Sequence, residues 1–218
     1  MKNYITNCLV FTFLISSAAI LAAQQAATEG LAPNTDLSKL TAEKPVIISS
    51  NVEFVPGSDN KWIAISAEVQ AITLVPIEKL YAVLHDIENQ PKVFNKGFSS
   101  TKKAVIDSTT PNGTIATFTT TAVGQDTVYT ALVTEKLDLP NSAFITVKQT
   151  APNKQIRNLY ATWYLSTQTI DGVKYSYIRF YDSSEVAGDG LKKALIGGGI
   201  NSAHTSSISQ LIEGAKKR

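Results

Sequence analysis

Residues 159–218 decide the predicted fold and read LYATWYLSTQTIDGVKYSYIRFYDSSEVAGDGLKKALIGGGINSAHTSSISQLIEGAKKR. The stretch begins with two segments rich in Thr, Tyr, Val and Ile, separated by the turn signal Asp171-Gly172. After Asp189, which is suited to capping a helix, apolar residues return at helical spacing. These apolar positions are Leu191, Ala194, Leu195, Ile208, Leu211, Ile212 and Ala215. The pattern predicts a β-hairpin followed by a long amphipathic helix.

Further strand segments precede this hairpin. Residues 62–74 alternate apolar and polar side chains, which is the period of a half-buried strand. Residues 77–84 instead show helical spacing behind Pro76, a residue suited to the first turn of a helix. Six β segments then follow, separated by short turn signals, at 99–106, 114–123, 127–137, 143–149, 159–168 and 173–184. Short turns between consecutive strands favour an antiparallel meander.

This order of elements predicts an α+β helix-grip fold. We expect a curved seven-stranded antiparallel sheet wrapped around the long C-terminal helix, with two short helices after the first strand. Because a sheet cannot bury its inner face alone, the helix supplies the second layer, and the space between them becomes a pocket. Residues 61–218 form the predicted domain. Residues 24–60 are interrupted by prolines and are expected to be an irregular leader, with a short edge strand at residues 45–48.

Composition narrows the classes of protein. The 218 residues are 44% hydrophobic and 17% charged, which suits a globular domain and excludes a disordered, collagenous or polytopic membrane protein. Twenty Lys and Arg against 18 Asp and Glu give a net charge of +2. This balance gives no electrostatic case for a nucleic-acid partner.

Residues 1–23 have the pattern of a secretory signal peptide. A short polar start with Lys2 is followed by an apolar run that ends in two alanines. An uncleaved anchor is the alternative. The prediction is a secreted or periplasmic protein. Its mature chain would lack the single cysteine, Cys8, and with it disulfides and thiolate ligands. His85 and His204 are far apart in sequence, so no metal site is predicted. No cofactor and no catalytic residue are predicted either.

One segment carries a resemblance to a known superfamily. Residues 77–95 read IEKLYAVLHDIENQPKVFN, with an Asp, a Pro and an aromatic residue near the junction of two short helices. This resembles the segment after the first strand in START-like, polyketide cyclase-like (SRPBCC, Bet v 1-like) proteins. Trp163-Tyr164-Leu165, with Tyr175 and Tyr177 beyond the turn, is similar to their last hairpin. The joint at residues 186–191 departs from the pattern, because many relatives carry a proline there.

The resemblance spans residues 62–218 and implies a cavity for a lipid, sterol, quinone or polyketide, with chemistry in some members. Strand alternation places Trp163 on an inward face, together with Leu159, Ala161 and Leu165. For the last strand, the resemblance favours the face of Tyr175, Tyr177 and Arg179 as inward. Tyr81 and Leu195, from the first and last helices, complete the predicted ligand-binding set.

Arg179 leaves two interpretations open. Its guanidinium could grip an anionic or carbonyl head group, in which case Arg179→Met weakens binding of acidic ligands. Alternatively, Arg179 pairs with an internal carboxylate or lies in water at the sheet rim, since an unpaired buried charge is costly. The glycine run 197–199 likewise indicates either a helix kink over a cavity or a simple packing notch.

Three functions follow from these expectations. The first is a binding protein that holds a small hydrophobic or lipid-like ligand in a central cavity. The alternative is a cyclase- or hydrolase-like enzyme that uses the same cavity, and a third is an interaction domain whose cavity is filled. Binding is favoured because the sequence shows no set of nucleophile, base and orienting group. The basic tail 216–218 adds a possible transient contact with a membrane.

Overall fold

The computed structural model describes residues 28–218, so the predicted signal peptide lies outside the described residues. The strands are β1 Val46–Phe54, β2 Trp62–Thr73, β3 Ser99–Thr110, β4 Gly113–Ala122, β5 Gln125–Asp138, β6 Ser142–Gln149, β7 Ile156–Ile170 and β8 Val173–Ala187. The helices are α1 Ile77–His85, α2 Gln90–Val93 and α3 Gly190–Lys216, with 3₁₀ turns at Leu37–Lys39 and Ile87–Asn89. Within residues 28–218, no helix combines the length and apolar character needed to cross a bilayer.

The eight strands of the described chain form one open antiparallel sheet in the order β1-β2-β8-β7-β6-β5-β4-β3. The α+β class and the antiparallel meander are therefore confirmed, but the predicted number of seven strands is wrong. The additional strand is β1, which lies within the predicted leader and pairs with β2 at the sheet edge. Its pairing shifts register between Ile47 and Ser49, and this irregularity interrupts the alternation that would have indicated a full strand. The sequence pattern indicated only its first residues.

The two principal helices begin where the sequence indicated. Pro76 precedes α1, whose buried residues Ile77, Leu80 and Leu84 contribute to the core. Asp189 caps α3, because its Oδ1 accepts a hydrogen bond of 2.9 Å from the Lys192 backbone N–H. Each helix start therefore follows from local chemistry. The ring of Pro76 fixes φ before α1, and the carboxylate of Asp189 accepts a backbone hydrogen bond at the start of α3.

The buried face of α3 differs from the predicted one at its first turns. Leu191 and Leu195 are 71% and 47% exposed, whereas Ile196 and Ile200 are buried. At about 100° per residue, Leu195 lies roughly 160° around the helix from Leu211, which belongs to the core. The residues that share the buried face are Ile196, Gly199, Ile200, Ala203, His204, Ile208, Leu211, Ile212 and Ala215.

The glycine run in α3 contains one close contact. A Cβ at Gly199 would overlap the ring of Phe98, whereas a Cβ at Gly197 or Gly198 would have nothing within 4 Å. Gly199 is therefore a packing notch for Phe98, which is one of the two interpretations that the sequence left open.

Candidate ligand-binding cavity

A cavity of about 270 Å³ lies between one face of the sheet and the part of α3 from Lys192 to Ser207. The second half of α3 instead packs into the core with α1, through residues such as Leu211. Helix α3 therefore has two roles along its length, since its residues up to Ser207 border the cavity, whereas Ile208 and Leu211 belong to the core. The principal apolar and aromatic lining residues are Phe94, Phe98, Phe118, Tyr129, Ile145, Val147, Ala161, Trp163, Phe180, Ile196 and Ile200.

A row of stacked rings forms part of the cavity wall. The rings of Trp163 and Phe180 stack with centroids 4.0 Å apart and an angle of 16° between planes. Phe180 also stacks on His204 with centroids 5.4 Å apart, and the centroid of the Phe94 ring lies 6.1 Å from that of Trp163. Such a wall presents flat apolar surface and favours a ligand with an apolar body.

An ion pair interrupts this apolar wall. His204 Nε2 lies 3.3 Å from Asp182 Oδ2, and both residues line the cavity. His204 Nδ1 lies 2.8 Å from the carbonyl oxygen of Ile200, one turn earlier in α3. A carbonyl oxygen only accepts hydrogen bonds, so Nδ1 carries a proton there, while Nε2 faces a carboxylate. Both ring nitrogens are thus placed as donors, which is the arrangement of an imidazolium.

The surroundings of His204 favour this charged form. Burial alone lowers the pKa of His204, because it removes water from the cation. The hydrogen bond and the negative charge of Asp182, with the bond to the Ile200 carbonyl, outweigh this effect and raise the pKa above its ordinary value of 6.5. The cavity therefore holds a charge pair that is neutral overall.

Tyr129 brings a hydroxyl to the same cavity. Burial, reinforced by the negative charge of Asp182, raises the pKa of Tyr129 well above its ordinary value, so the hydroxyl keeps its proton. The ring of Tyr129 is fixed by stacking on Phe118, with centroids 5.5 Å apart. Tyr129 is thus a positioned hydrogen-bond donor on a largely apolar wall.

Of the six predicted ligand-binding residues, Trp163 lines the cavity. The predicted inward face of β8 is wrong, and the sheet register explains why. Trp163 pairs directly with Phe180, and cross-strand partners share a face of the sheet. Since Trp163 faces the cavity, Phe180 and Asp182 do so too, and the odd-numbered residues of β8, including Arg179, face the other side.

Arg179 and Tyr177 are buried on that opposite face beneath the leader. Arg179 Nε donates to Glu68 Oε1 at 2.5 Å, and its Nη1 lies 3.3 Å from the carbonyl oxygens of Gly30 and Leu31. The two charged side chains are only 3% and 12% exposed. The alternative interpretation of Arg179 therefore holds: it pairs with an internal carboxylate.

Tyr177 extends this sealed network. Its hydroxyl donates to Gln70 Oε1 at 3.0 Å and accepts a hydrogen bond of 3.1 Å from the Ala32 backbone N–H. The leader thus supplies both carbonyl and N–H groups to polar side chains of the sheet. This covering segment of chain satisfies groups that would otherwise be buried without partners.

The three remaining predicted residues also lie away from the cavity lining. Tyr81 donates a hydrogen bond of 2.8 Å from its hydroxyl to Glu135 Oε2 and contacts His85. Tyr175 lies near the beginning of β8, opposite Gln168. Leu195 is on the exposed side of α3. The structure therefore does not bring these residues together with Trp163.

Sequence reasoning missed the polar residues of the cavity. The predicted inward face of β8, that of Tyr177 and Arg179, places Asp182 on the outward face by alternation, and no pattern of neighbouring ligands points to His204. A signal for His204 exists, since it follows Ile196 and Ile200 at the i+8 and i+4 positions of one helix face. Among residues 28–218, no group of three or more His, Cys, Asp or Glu is arranged to hold a metal ion.

The basic tail is largely engaged within the chain. Lys216 pairs with Glu43 and Glu213 at 2.8 and 2.9 Å, and Arg218 pairs with Asp86 at 2.6 Å. These pairs reduce the free positive charge available for contact with an anionic membrane.

No family model matches the sequence, and no curated protein matches it significantly. Solved structures do resemble the fold. The Zhui aromatase/cyclase from Streptomyces sp. R1128 is 13% identical, with a TM-score of 0.53 over 71% of this chain and 95% of its own. Human STARD10 is 13% identical, with a TM-score of 0.53 over 78% and 74% of the two chains. The di-domain ARO/CYC StfQ from the steffimycin biosynthetic pathway is 12% identical, with a TM-score of 0.51 over 71% and 52%.

The chain therefore has the START/polyketide cyclase-like fold, as the sequence resemblance implied. At these identities the likeness concerns the fold, and the chemistry of the site has to be argued from the residues of this chain.

Proposed function

We propose that this protein binds a small apolar molecule in the cavity between the sheet and α3, which together form a helix-grip enclosure. The observation that carries the proposal is the cavity itself: an aromatic and aliphatic wall around about 270 Å³, with the His204–Asp182 ion pair inside. Apolar concave sites with a few placed polar groups are the usual form of small-molecule sites.

The volume limits the size of the ligand. Ligand cavities commonly measure about 300 to 1,000 Å³, so this one is at the small end. An apolar cavity of about 150 Å³ holds benzene, and scaling from it gives about 11 non-hydrogen atoms for this cavity. That size suits a bicyclic aromatic compound or a short branched chain, and it is too small for a two-chain lipid.

The same geometry gives less support to the alternative, a cyclase- or hydrolase-like enzyme. A general base needs a free lone pair within reach of the substrate proton. In His204 both ring nitrogens are already engaged, one with the Ile200 carbonyl and one with Asp182. The titratable pair is therefore better suited to orienting a ligand than to removing a proton from it.

A cavity-filling variant tests the proposal. Ala161 lines the cavity from β7, so Ala161→Phe adds about one benzene ring to the space. Thr169→Phe, at an exposed position of the same strand, is the matched control. Equilibrium dialysis with 1-methylnaphthalene, which has a suitable size, should show binding to the wild type and to Thr169→Phe.

Binding to Ala161→Phe should be at least tenfold weaker, with thermal unfolding confirming that each variant folds. If the wild type fails to bind the probe, or if Ala161→Phe binds it equally well, the cavity is not the binding site. A small apolar compound that co-purifies with the protein from its native host, identified by mass spectrometry, would support the proposal and identify the natural ligand.

We also propose that residues 1–23 direct export, so that the protein acts in a secreted or periplasmic setting. The support is the polar start, apolar run and small residues of that segment. The intact mass of protein isolated from the native host tests this directly. A mass that corresponds to a chain beginning near Gln24 is expected, and a chain retaining Met1–Ala23 would contradict the proposal.

A further inference from the structure

The cavity contains hydrogen-bonding capacity that the described part of the chain does not use. Asp182 Oδ2 faces His204, whereas Oδ1 accepts no hydrogen bond from residues 28–218. The Tyr129 hydroxyl likewise donates to no acceptor within those residues. Asp182 is 24% exposed and His204 9% exposed, although they belong to β8 and to the buried face of α3. One acceptor and one donor are thus directed to the cavity rather than to other protein groups.

We propose that Asp182 and Tyr129 recognise a hydroxyl group on the ligand, so that the preferred ligand class is a neutral aromatic or alicyclic alcohol or phenol of about 11 non-hydrogen atoms. This inference rests on the proposed function and specifies its ligand. The ligand hydroxyl donates to Asp182 Oδ1, and its oxygen is suited to accept from the Tyr129 hydroxyl. The apolar body lies against the stacked rings of Trp163 and Phe180.

The charge arrangement favours an alcohol over a carboxylic acid. The positive charge of His204 is already paired with Asp182 and is directed to it and to the Ile200 carbonyl. A ligand carboxylate would therefore meet the carboxylate of Asp182 without a free cation beside it. Lys192, the other cation on the lining, donates from its Nζ to Gln125 and to the Ala187 carbonyl at the rim.

Three naphthalene probes of similar shape separate these possibilities. The probes are 1-naphthol, 1-methylnaphthalene and 1-naphthoate, and the first two are nearly isosteric. Binding of each is measured by equilibrium dialysis with the protein produced from the full 218-residue chain. We expect 1-naphthol to bind at least tenfold more tightly than 1-methylnaphthalene, since hydrogen bonds to charged groups are among the stronger ones. We expect 1-naphthoate to bind more weakly than 1-naphthol.

Two variants assign the preference to residues. Asp182→Asn removes the charged acceptor with little change in shape, and it should reduce the preference for 1-naphthol over 1-methylnaphthalene to threefold or less. Tyr129→Phe removes only the hydroxyl, and it should reduce the same ratio by a smaller factor. If Asp182→Asn does not fold, Tyr129→Phe carries the test alone. Thr169→Phe, which lies outside the cavity lining, should keep the wild-type preference for 1-naphthol.

The outcomes distinguish this inference from the proposed function. If 1-methylnaphthalene and 1-naphthol bind equally, the hydroxyl site is wrong while apolar binding stands. If 1-naphthoate binds most tightly, His204 acts as an anion site and the inference is overturned. An unchanged preference in Tyr129→Phe, or in a folded Asp182→Asn, also contradicts the assignment of that residue. If no probe binds, the proposed function itself fails.

Discussion

Strand β8 carries two charged residues that face opposite sides of the sheet. Arg179 faces the leader and pairs with Glu68, and its guanidinium also contacts two leader carbonyls. Asp182, three residues later, faces the cavity and pairs with His204. We call Arg179–Glu68 the closed pair, because the leader covers it and supplies further partners. We call Asp182–His204 the open pair, because it borders the cavity. One strand thus carries a charge whose partners all belong to the chain and a charge that borders the cavity.

Burial of a charge is therefore not sufficient evidence for a ligand site. Arg179 is the more deeply buried of the two, at 3% exposure. The predicted inward position of Arg179 is what makes it a candidate for binding a ligand head group. Its hydrogen bonds are nevertheless satisfied within the protein. An unsatisfied acceptor beside a cavity of suitable size is the more informative feature.

Removing Arg179 from the closed pair should destabilise the protein strongly. Arg179→Met leaves Glu68 buried without its partner, and such losses typically cost about 3–5 kcal/mol. Urea denaturation of the wild type and the variant measures the change in the free energy of unfolding. Affinity of the folded variant for 1-methylnaphthalene should be unchanged, because Arg179 lies on the other face of the sheet.

Lys136→Met is the matched control, since Lys136 pairs with Glu29 of the leader but its side chain is 74% exposed. That loss should be below about 1 kcal/mol. If Arg179→Met instead left stability intact and weakened binding tenfold, the comparison would be reversed and Arg179 would belong to the ligand site.

A smaller effect tests how tightly the cavity side is packed. Gly199→Ala places a methyl group against the ring of Phe98, which lines the cavity, whereas Gly198→Ala meets open space. Gly198→Ala should stabilise the protein by about 0.5–1 kcal/mol through helix propensity. Gly199→Ala has the same propensity gain but must displace the ring, so it should be less stable than Gly198→Ala by about 1–3 kcal/mol.

Thermal and urea unfolding of the two alanine variants measure this difference. Equal stabilities would show that Phe98 moves freely and that the notch at Gly199 does not constrain the cavity wall. The two faces of the sheet would then differ further, because only the face beneath the leader would be rigidly packed.

The order of elements was predictable because each one has a local signal. Pro76 and Asp189 mark helix starts, and the Asp171-Gly172 turn joins the last two strands. These signals act within a few residues and do not depend on distant contacts. Strand β1 was only partly predictable, because its irregular pairing near Ile48 breaks the alternating pattern.

The site was less predictable, because it depends on which face of each strand meets the helix. Alternation gives two faces for β8 but does not say which is inward, and a one-residue error exchanges Arg179 for Phe180. The pairing of Trp163 with Phe180 shows which face of β8 is inward, and this register becomes known only from the tertiary structure. The same holds for His204, whose role depends on Asp182, a residue 22 positions away in sequence.

The pH dependence of stability that arises from the His204–Asp182 pair should be weaker still. The pKa of His204 is raised in the folded protein, so the folded state binds the proton more tightly than the unfolded chain does. The stability from this proton is fully present below about pH 6.5, the ordinary value, and is lost as the pH rises through the raised pKa. A glutamine side chain does not titrate, so the difference in unfolding free energy between the wild type and His204→Gln isolates this contribution.

We expect that difference to favour the wild type most at about pH 5.5 and to shrink steadily towards about pH 8.5. His85, the second histidine, is present in both proteins and cancels in the comparison. A difference that grows with pH would mean that burial dominates and His204 is neutral in the folded state. Asp182 would then be a carboxylate without a cation beside it, and the contrast with the closed Arg179–Glu68 pair would rest on charge as well as on exposure.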